Sequence, residues 1–178
     1  MNDAPRRLAL AYPASLMVAG AGVLLAGYVL AATGMPQWLA LALIACGLVL
    51  WTLLEYLLHR FVLHRVEPFK AWHAHHHRVP DEPIRIPLAF SVPLVLVLLI
   101  APALLLRNVA FSAALSLGLL VGEMLQEAVH DRVHRGVGGG LLAARRRDHG
   151  FHHTHDERRG FGTLSGFWDR CLGTAPPG

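Results

Sequence analysis

Four apolar blocks, each about as long as a membrane is thick, decide what this chain can fold into. They run over about 8–33 (Leu8 to Thr33), 38–58 (Trp38 to Leu58), 87–106 (Pro87 to Leu106) and 109–129, the last starting at Val109. A helix needs about 20 apolar residues to cross a hydrocarbon core, and the first three blocks meet that length. The third holds no charged residue. The fourth is free of charge to Gly122 and then carries Glu123 and Glu127, so its last turns are expected to leave the bilayer or to form a shallower hairpin with the third. Only Arg107-Asn108 separates those two blocks. The chain is 54% apolar and 16% charged, against about 25% charged in soluble domains. The expected fold is an all-α integral-membrane helical bundle of about four transmembrane helices, in a single domain over 1–178. Arg6-Arg7 ahead of the first block resembles a secretory leader, but the block exceeds the usual apolar core of about 7–15 residues and reads as an uncleaved helix.

Net charge is +4, which taken alone would suit a nucleic-acid binder. The positions of the basic residues argue otherwise. Arg6 and Arg7 precede the first block. Arg60, Arg65, Lys70, Arg78 and Arg85 lie between the second and third. Arg132, Arg135, Arg145, Arg146, Arg147, Arg158, Arg159 and Arg170 follow the fourth, and Arg107 alone falls on the other side. Lys and Arg concentrate on the cytoplasmic face of membrane proteins, so both termini are expected there, with no nucleic-acid partner. Some of these arginines are expected to meet anionic headgroups. Cys46 and Cys171 form neither a disulfide framework nor a paired-cysteine metal site.

All 12 histidines fall on that same side. They make four groups: His59-x4-His64, His73-x-His75-His76-His77, His130-x3-His134, and His149-x2-His152-His153 with His155. Residues three and four apart share a helix face, so His73, His76 and His77 are expected to point together, as are His149, His152 and His153, and His130 with His134. Neutral imidazole is a ligand for iron, zinc, copper or nickel. Two ions taking four or five nitrogens each would use eight to ten histidines, and the groups supply ten. His75 and His155 are left over and are expected to face solvent or to back the ligands. A single His-x2-His-His arises by chance in many proteins; four groups on one membrane face are a different matter. The expected site is a histidine-rich dimetal centre in a cytoplasmic helical cap, built from 59–86 and 130–178.

Among carboxylates, Glu127-Ala-Val-His130 has the Glu-x2-His form of ferritin-like dimetal proteins, which use two such motifs and two further Glu ligands. Only one motif is present here. Glu127, and Glu55 four residues before His59, are candidates to orient histidine N–H groups; a helix-end ion pair with arginine is the competing reading. No phosphate-binding glycine loop and no nucleophile elbow occurs.

The ordered set His-x4-His, His-x2-His-His, His-x3-His, His-x2-His-His resembles the fatty acid hydroxylase and sterol desaturase superfamily, over about residues 53–174. By matching position, the resemblance implies that His59, His64, His73, His76, His77, His130, His134, His149, His152 and His153 bind metal. Glu55-Tyr56 before His59-Arg60-Phe61 looks like the family's opening motif. Pro80-Asp81 with Arg85 and Pro87 resembles the segment after the second histidine group in fatty acid 2-hydroxylases. Phe161-Gly162, Phe167-Trp168-Asp169 and Gly173-Thr174 resemble the closing tail, which brings Asp169 in as a further candidate beside the metal ligands. Glu127 stands where 2-hydroxylases tend to have Asp. Bacterial carotenoid hydroxylases share a similar histidine plan, and His130-Asp131 with Val133-His134 would suit them as well; the tail and the Pro-Asp-x3-Arg stretch favour the fatty acid branch.

The resemblance implies two metal ions, iron in the family and zinc as the alternative, with O2 as co-substrate and hydroxylation or desaturation of a lipid held in the bilayer. No segment of the sequence resembles cytochrome b5, so electrons are expected from a separate donor, cytochrome b5-like or a ferredoxin with its reductase. The expected location is the bacterial inner membrane. A non-catalytic metal-binding membrane protein, a transporter, sensor or zinc-stabilised structural protein, is the competing class. Transporters usually hold ionisable ligands near the midplane of their spans, whereas these histidines lie at or beyond span ends.

Overall fold

The computed structural model describes residues 14–80, 82 and 86–177. The beginning of the first apolar block, with Arg6 and Arg7, lies outside the described residues, as do Asp81 and Arg85. The described chain forms α1 (Ala14–Ala32), α2 (Gln37–Leu58) running into a π-helical turn (His59–Leu63), α3 (Phe69–Arg78), α4 (Leu88–Leu106), α5 (Val109–His134), α6 (Leu141–Thr154) and α7 (Phe167–Cys171). No strand occurs among the described residues. Among the described residues, four stretches are long and apolar enough to cross a membrane: Ala14–Ala32, Gln37–Leu63, Leu88–Leu106 and Val109–His134. The helix of the fourth block continues through Glu123 and Glu127 to its two histidines. The chain divides into two compact units, residues 1–51 with 85–124, and residues 52–84 with 125–178.

The first unit is built from small residues and lipid-suited surfaces. Leu24, Tyr28, Trp38 and Leu105 are each more than 70% exposed, an arrangement that hydrocarbon accepts and water does not. Within a bilayer, helices gain little from burying apolar area against each other, so close backbone approach becomes the route to attraction. α1 packs on α4, and Gly22 sits against Val95 of α4 and Leu120 of α5. α2 and α5 come closer still. A Cβ on Gly47 would run into the Leu115 carbonyl and lie 2.9 Å from Gly118 Cα; one on Gly118 would run into the Ile44 carbonyl.

Proline in α4 creates a second need. Pro102 has no N–H to give the Leu98 carbonyl one turn earlier, and an unpaired carbonyl is costly in lipid. The Ser116 hydroxyl of α5 donates to Leu98 O at 2.8 Å, and the Ser112 hydroxyl donates to Pro102 O at 3.0 Å. The two-residue turn that joins these helices has Arg107 in the left-handed region (φ 50°). The Asn108 side-chain oxygen then accepts the Phe111 N–H at 3.0 Å, capping α5.

The second unit has an unusual interior. Its buried apolar residues are few, Tyr56, Val133 and Phe161, while Glu55, His59, His73, Glu127, His130, His149, His152, Thr163, Asp169 and Thr174 are all buried. Buried polar groups are tolerated only when partnered, so this interior makes sense as a framework for something that the imidazoles hold. The C-terminal tail is tied to it: the Trp168 indole N–H donates to Thr52 Oγ1 at 2.9 Å, and Thr174 Oγ1 lies 3.0 Å from the Tyr56 hydroxyl.

Candidate metal centre

All ten histidines singled out from their spacing converge, and they do so in two groups of five. One is His59, His64, His73, His77 and His152; the other is His76, His130, His134, His149 and His153. In each group the five donor nitrogens lie within 4.8 Å of one another. His75 and His155 join neither group. His75 is exposed beside Glu82, and His155 is exposed and stacked on Phe151.

Local helix geometry explains the partition. Consecutive residues of an α-helix are about 100° apart, so i+4 lies about 40° round from i while i+3 lies about 60° the other way. His73 and His77 share the first group, and His76, turned about 100° from His77, enters the second. α6 does the reverse: His149 and His153 share the second group, and His152 enters the first. Both His-x2-His-His motifs thus straddle the two groups rather than each serving one ion, which refines the expectation that each triplet points together. Across the divide, the rings of His77 and His153 stack at 4.1 Å with an interplanar angle of 9°.

His59 and His64 need a different device. Five residues in an α-helix turn about 500°, leaving the two side chains about 140° apart. The chain instead widens into the π-helical turn, with the His64 N–H donating to the His59 carbonyl at 3.3 Å, and the two rings stack at 5.1 Å. Single π turns recur at functional sites for this kind of reason.

The nitrogen geometry tests whether metal fits. His59 Nδ1 donates to the Phe161 carbonyl at 2.6 Å, and His152 Nδ1 donates to the Arg159 carbonyl at 2.8 Å. A carbonyl only accepts, so both rings carry their proton on Nδ1 and present a bare Nε2. Those atoms face other imidazole Nε2 atoms: His59 to His73 at 3.0 Å, His64 to His152 and to His73 at 3.1 Å, and His77 to His73 at 3.1 Å. In the second group His149 Nε2 stands 2.8 Å from that of His130 and 3.0 Å from those of His134 and His153, and His134 Nε2 stands 3.1 Å from His130 Nε2. Lone pairs gathered this closely repel unless a cation sits among them. Nitrogens about 2.1 Å from a shared ion are about 3.0 Å apart at right angles and about 3.4 Å apart in a tetrahedron. The observed spacing matches the right-angled set.

Burial keeps these rings neutral. It pushes His64 and His77 down to about 4, His76 and His152 to about 3, and His153 to about 2, with neighbouring imidazoles adding to the effect in several of them. His73 and His149 are lowered further by the same cause. Glu157 opposes the shift at His77. A group lowered on folding contributes stability above its unfolded pKa, near 6.5, and that contribution is lost as pH falls toward the folded value. The metal-free protein is therefore expected to hold its thermal midpoint between pH 8 and 7 and to lose it steadily from pH 6.5 to 4. A flat midpoint across that range in chelator-treated protein would contradict the neutral, buried assignment.

The carboxylates occupy different stations. Glu127 is buried on α5 one turn before His130. Glu55 and Asp169 are also buried, but their oxygens meet backbone. Asp169 accepts the N–H groups of Phe161 (2.9 Å) and Gly162 (2.8 Å), and Glu55 accepts those of Thr163 (2.6 Å) and Leu164 (3.0 Å). The Arg159 and Phe161 carbonyls carry no side-chain signal by which a sequence could reveal them. Glu157, whose Oε2 lies 3.9 Å from His64 Nδ1, was likewise not singled out.

Comparison with known proteins bears on the family of the chain. A family model described as fatty acid hydroxylase matches residues 44–174. The chain is 29% identical over 144 residues to a dihydroceramide fatty acyl 2-hydroxylase of Arabidopsis thaliana, covering 75% of this chain and 60% of the relative. It is 29% identical over 167 residues to a ceramide very long chain fatty acid hydroxylase of Schizosaccharomyces pombe, covering 85% and 47%. The human fatty acid 2-hydroxylase is 28% identical over 160 residues, covering 80% and 41%. The chain thus spans about half the length of these relatives. Among solved structures, full-length scs7p, with only its hydroxylase domain visible, superposes with a TM-score of 0.68 at 25% identity, covering 94% of this chain and 69% of that one.

Proposed function

The chain belongs to the fatty acid hydroxylase family, and from that premise we propose that it is a membrane-bound, non-haem two-metal oxygenase that hydroxylates a fatty acyl chain with O2. The observation that carries the reading is the convergence of ten imidazoles into two five-nitrogen groups at right-angled spacing. Structural zinc sites are closed and tetrahedral; five nitrogens at this spacing suit the higher coordination of iron(II) better. The names of the relatives favour a fatty acyl substrate over a carotenoid.

In this reading His59, His64, His73, His77 and His152 hold one ion, and His76, His130, His134, His149 and His153 the other. Bound there, the iron pair supplies O2 activation and attack on an unactivated C–H bond, chemistry that no side chain performs. The overall change is RH + O2 + two electrons + two protons to ROH + water, with the electrons from a cytochrome b5-like donor or a ferredoxin and its reductase. The protein's part is orientation. His59 and His152 keep their protons on Nδ1 so that Nε2 is free to ligate. Glu127, one turn from His130, is assigned to orienting the second group. The distribution of Lys and Arg supports a cytoplasmic site, which in a bacterial cell would lie on the inner membrane.

The test is lipid analysis of aerobically grown cells carrying the wild type, His76→Ala or neither, with a working electron donor. Hydroxylated fatty acyl chains are expected only with the wild type. Identical lipids in all three would sink the proposal. Full activity in protein whose Mössbauer spectrum shows no iron signal, and which carries zinc instead, would sink the metal assignment.

A further inference from the structure

We infer that residues 157–164 form a clamp that sets the imidazoles of the first histidine group, and that Glu55 and Asp169 are the positioning residues that hold this clamp in place. The inference rests on the reading that both groups hold metal.

Three of the five histidines of the first group have outer contacts from one short stretch of chain. The Arg159 and Phe161 carbonyls take the Nδ1 protons of His152 and His59, and the Glu157 carboxylate lies 3.9 Å from His64 Nδ1. In the second group, His149 Nδ1 and His153 Nδ1 are buried without a hydrogen-bond partner in the protein. The two groups therefore differ in how firmly the protein presets their ligands.

A loop carbonyl orients a ring only as well as the loop itself is held. Here four consecutive N–H groups are taken by two buried carboxylates, Phe161 and Gly162 by Asp169, then Thr163 and Leu164 by Glu55. Asp169 Oδ1 also accepts the Thr174 hydroxyl at 2.8 Å, and the Gly160 N–H donates to the Thr174 carbonyl at 2.9 Å. The path is tight. Gly160 has φ +74°, and a Cβ there would lie 2.7 Å from the Asp148 carbonyl; a Cβ on Gly162 would run into the Ser165 carbonyl. Each carboxylate closes two of these N–H groups, and among the described residues neither is hydrogen-bonded to a histidine. Their reach to the metal ligands is through the backbone.

The two carboxylates differ in what their amides would retain. Asp169 uses both oxygens, so Asp169→Asn sets an NH2 group against a backbone N–H. Glu55 Oε1 already accepts both of its donors, with a third, longer contact of 3.3 Å to Oε2, so Glu55→Gln keeps its two shorter bonds.

The experiment is ¹¹³Cd NMR of the full chain in detergent, with cadmium alone as probe. The wild type is expected to give two resonances, assigned to the first and second groups by their loss in His77→Ala and His76→Ala. Asp169→Asn, with helicity unchanged by circular dichroism, is expected to weaken the first-group site about 10- to 100-fold in chelator competition and leave the second-group resonance in place. Glu55→Gln should weaken the same site by less, under about tenfold. Equal weakening of both sites, or no change in either, would overturn the clamp. If Asp169→Asn does not fold, Glu55→Gln decides by the same readout together with the ¹⁵N shifts of His59 and His152, whose Nδ1–H form should lose its dominance. Cadmium partition needs no turnover, so a chain that made no hydroxylated lipid would leave the clamp standing. A wild type that bound no cadmium pair would remove the reading beneath it.

Discussion

Alanine at His76 and alanine at His77 are expected to empty different metal sites, although the two residues are neighbours in sequence. His77 lies with His59, His64, His73 and His152, while His76 lies with His130, His134, His149 and His153. The cause is angular: adjacent helical residues diverge by about 100°, more than a single ion's ligand set accommodates from one helix. Each variant is expected to keep about one metal ion of two by elemental analysis. Each should also lose hydroxylation by at least about 100-fold, since altering even the outer partners of metal ligands costs about 10- to 100-fold. The same rule applied to α6 predicts that His153→Ala behaves like His76→Ala, and His152→Ala like His77→Ala. The partition would be refuted if His76→Ala and His77→Ala lost the same resonance or the same spectroscopic iron site.

The second large effect is expected far from any imidazole. Gly47→Leu and Gly118→Leu each force a side chain into backbone, because a Cβ at either position meets a carbonyl oxygen of the facing helix rather than the end of a movable side chain. Overpacking of a close-packed contact costs about 1–3 kcal/mol, occasionally more, and here α2 and α5 must separate to relieve it. The expected result is a marked loss of stability for both variants in detergent or bilayer unfolding, with poor recovery of folded protein. Gly27→Leu is the control: nothing lies within 4 Å of its added Cβ, and it should stay within about 0.5 kcal/mol of wild type. Comparable stability in all three would mean that α2 and α5 do not depend on this approach.

Much of the molecule was legible beforehand, for identifiable reasons. The apolar blocks announce their helices because length and composition are local properties. The four histidine groups announce a candidate metal centre because imidazoles at three- and four-residue spacing share a helix face without help from the rest of the chain. His130 and His134 illustrate this best: one helix, one turn apart, one group. His75 and His155, left over from the ten candidate ligands and expected to face solvent or to back them, are both exposed.

Other features had no local signature. Spacing of five placed His59 and His64 on different faces of an ordinary helix, and only the π-helical turn brings them together. Glu55 was singled out beside His59, yet its carboxylate closes on Thr163 and Leu164, more than 100 residues away. Asp169 was noticed only as part of a tail motif; in the fold it takes two N–H groups of a loop whose carbonyls accept from the His59 and His152 rings.

The sequence by itself determined a helical membrane chain that carries ten imidazoles suited to metal, because hydropathy and helical phase are written residue by residue. Tertiary structure alone decided which five nitrogens meet, since that depends on how α3, α5, α6 and the π turn are rotated against one another. It alone also decided which backbone carbonyls fix their protons, because a carbonyl's partner is set by where the chain returns in space and not by the residue that bears it.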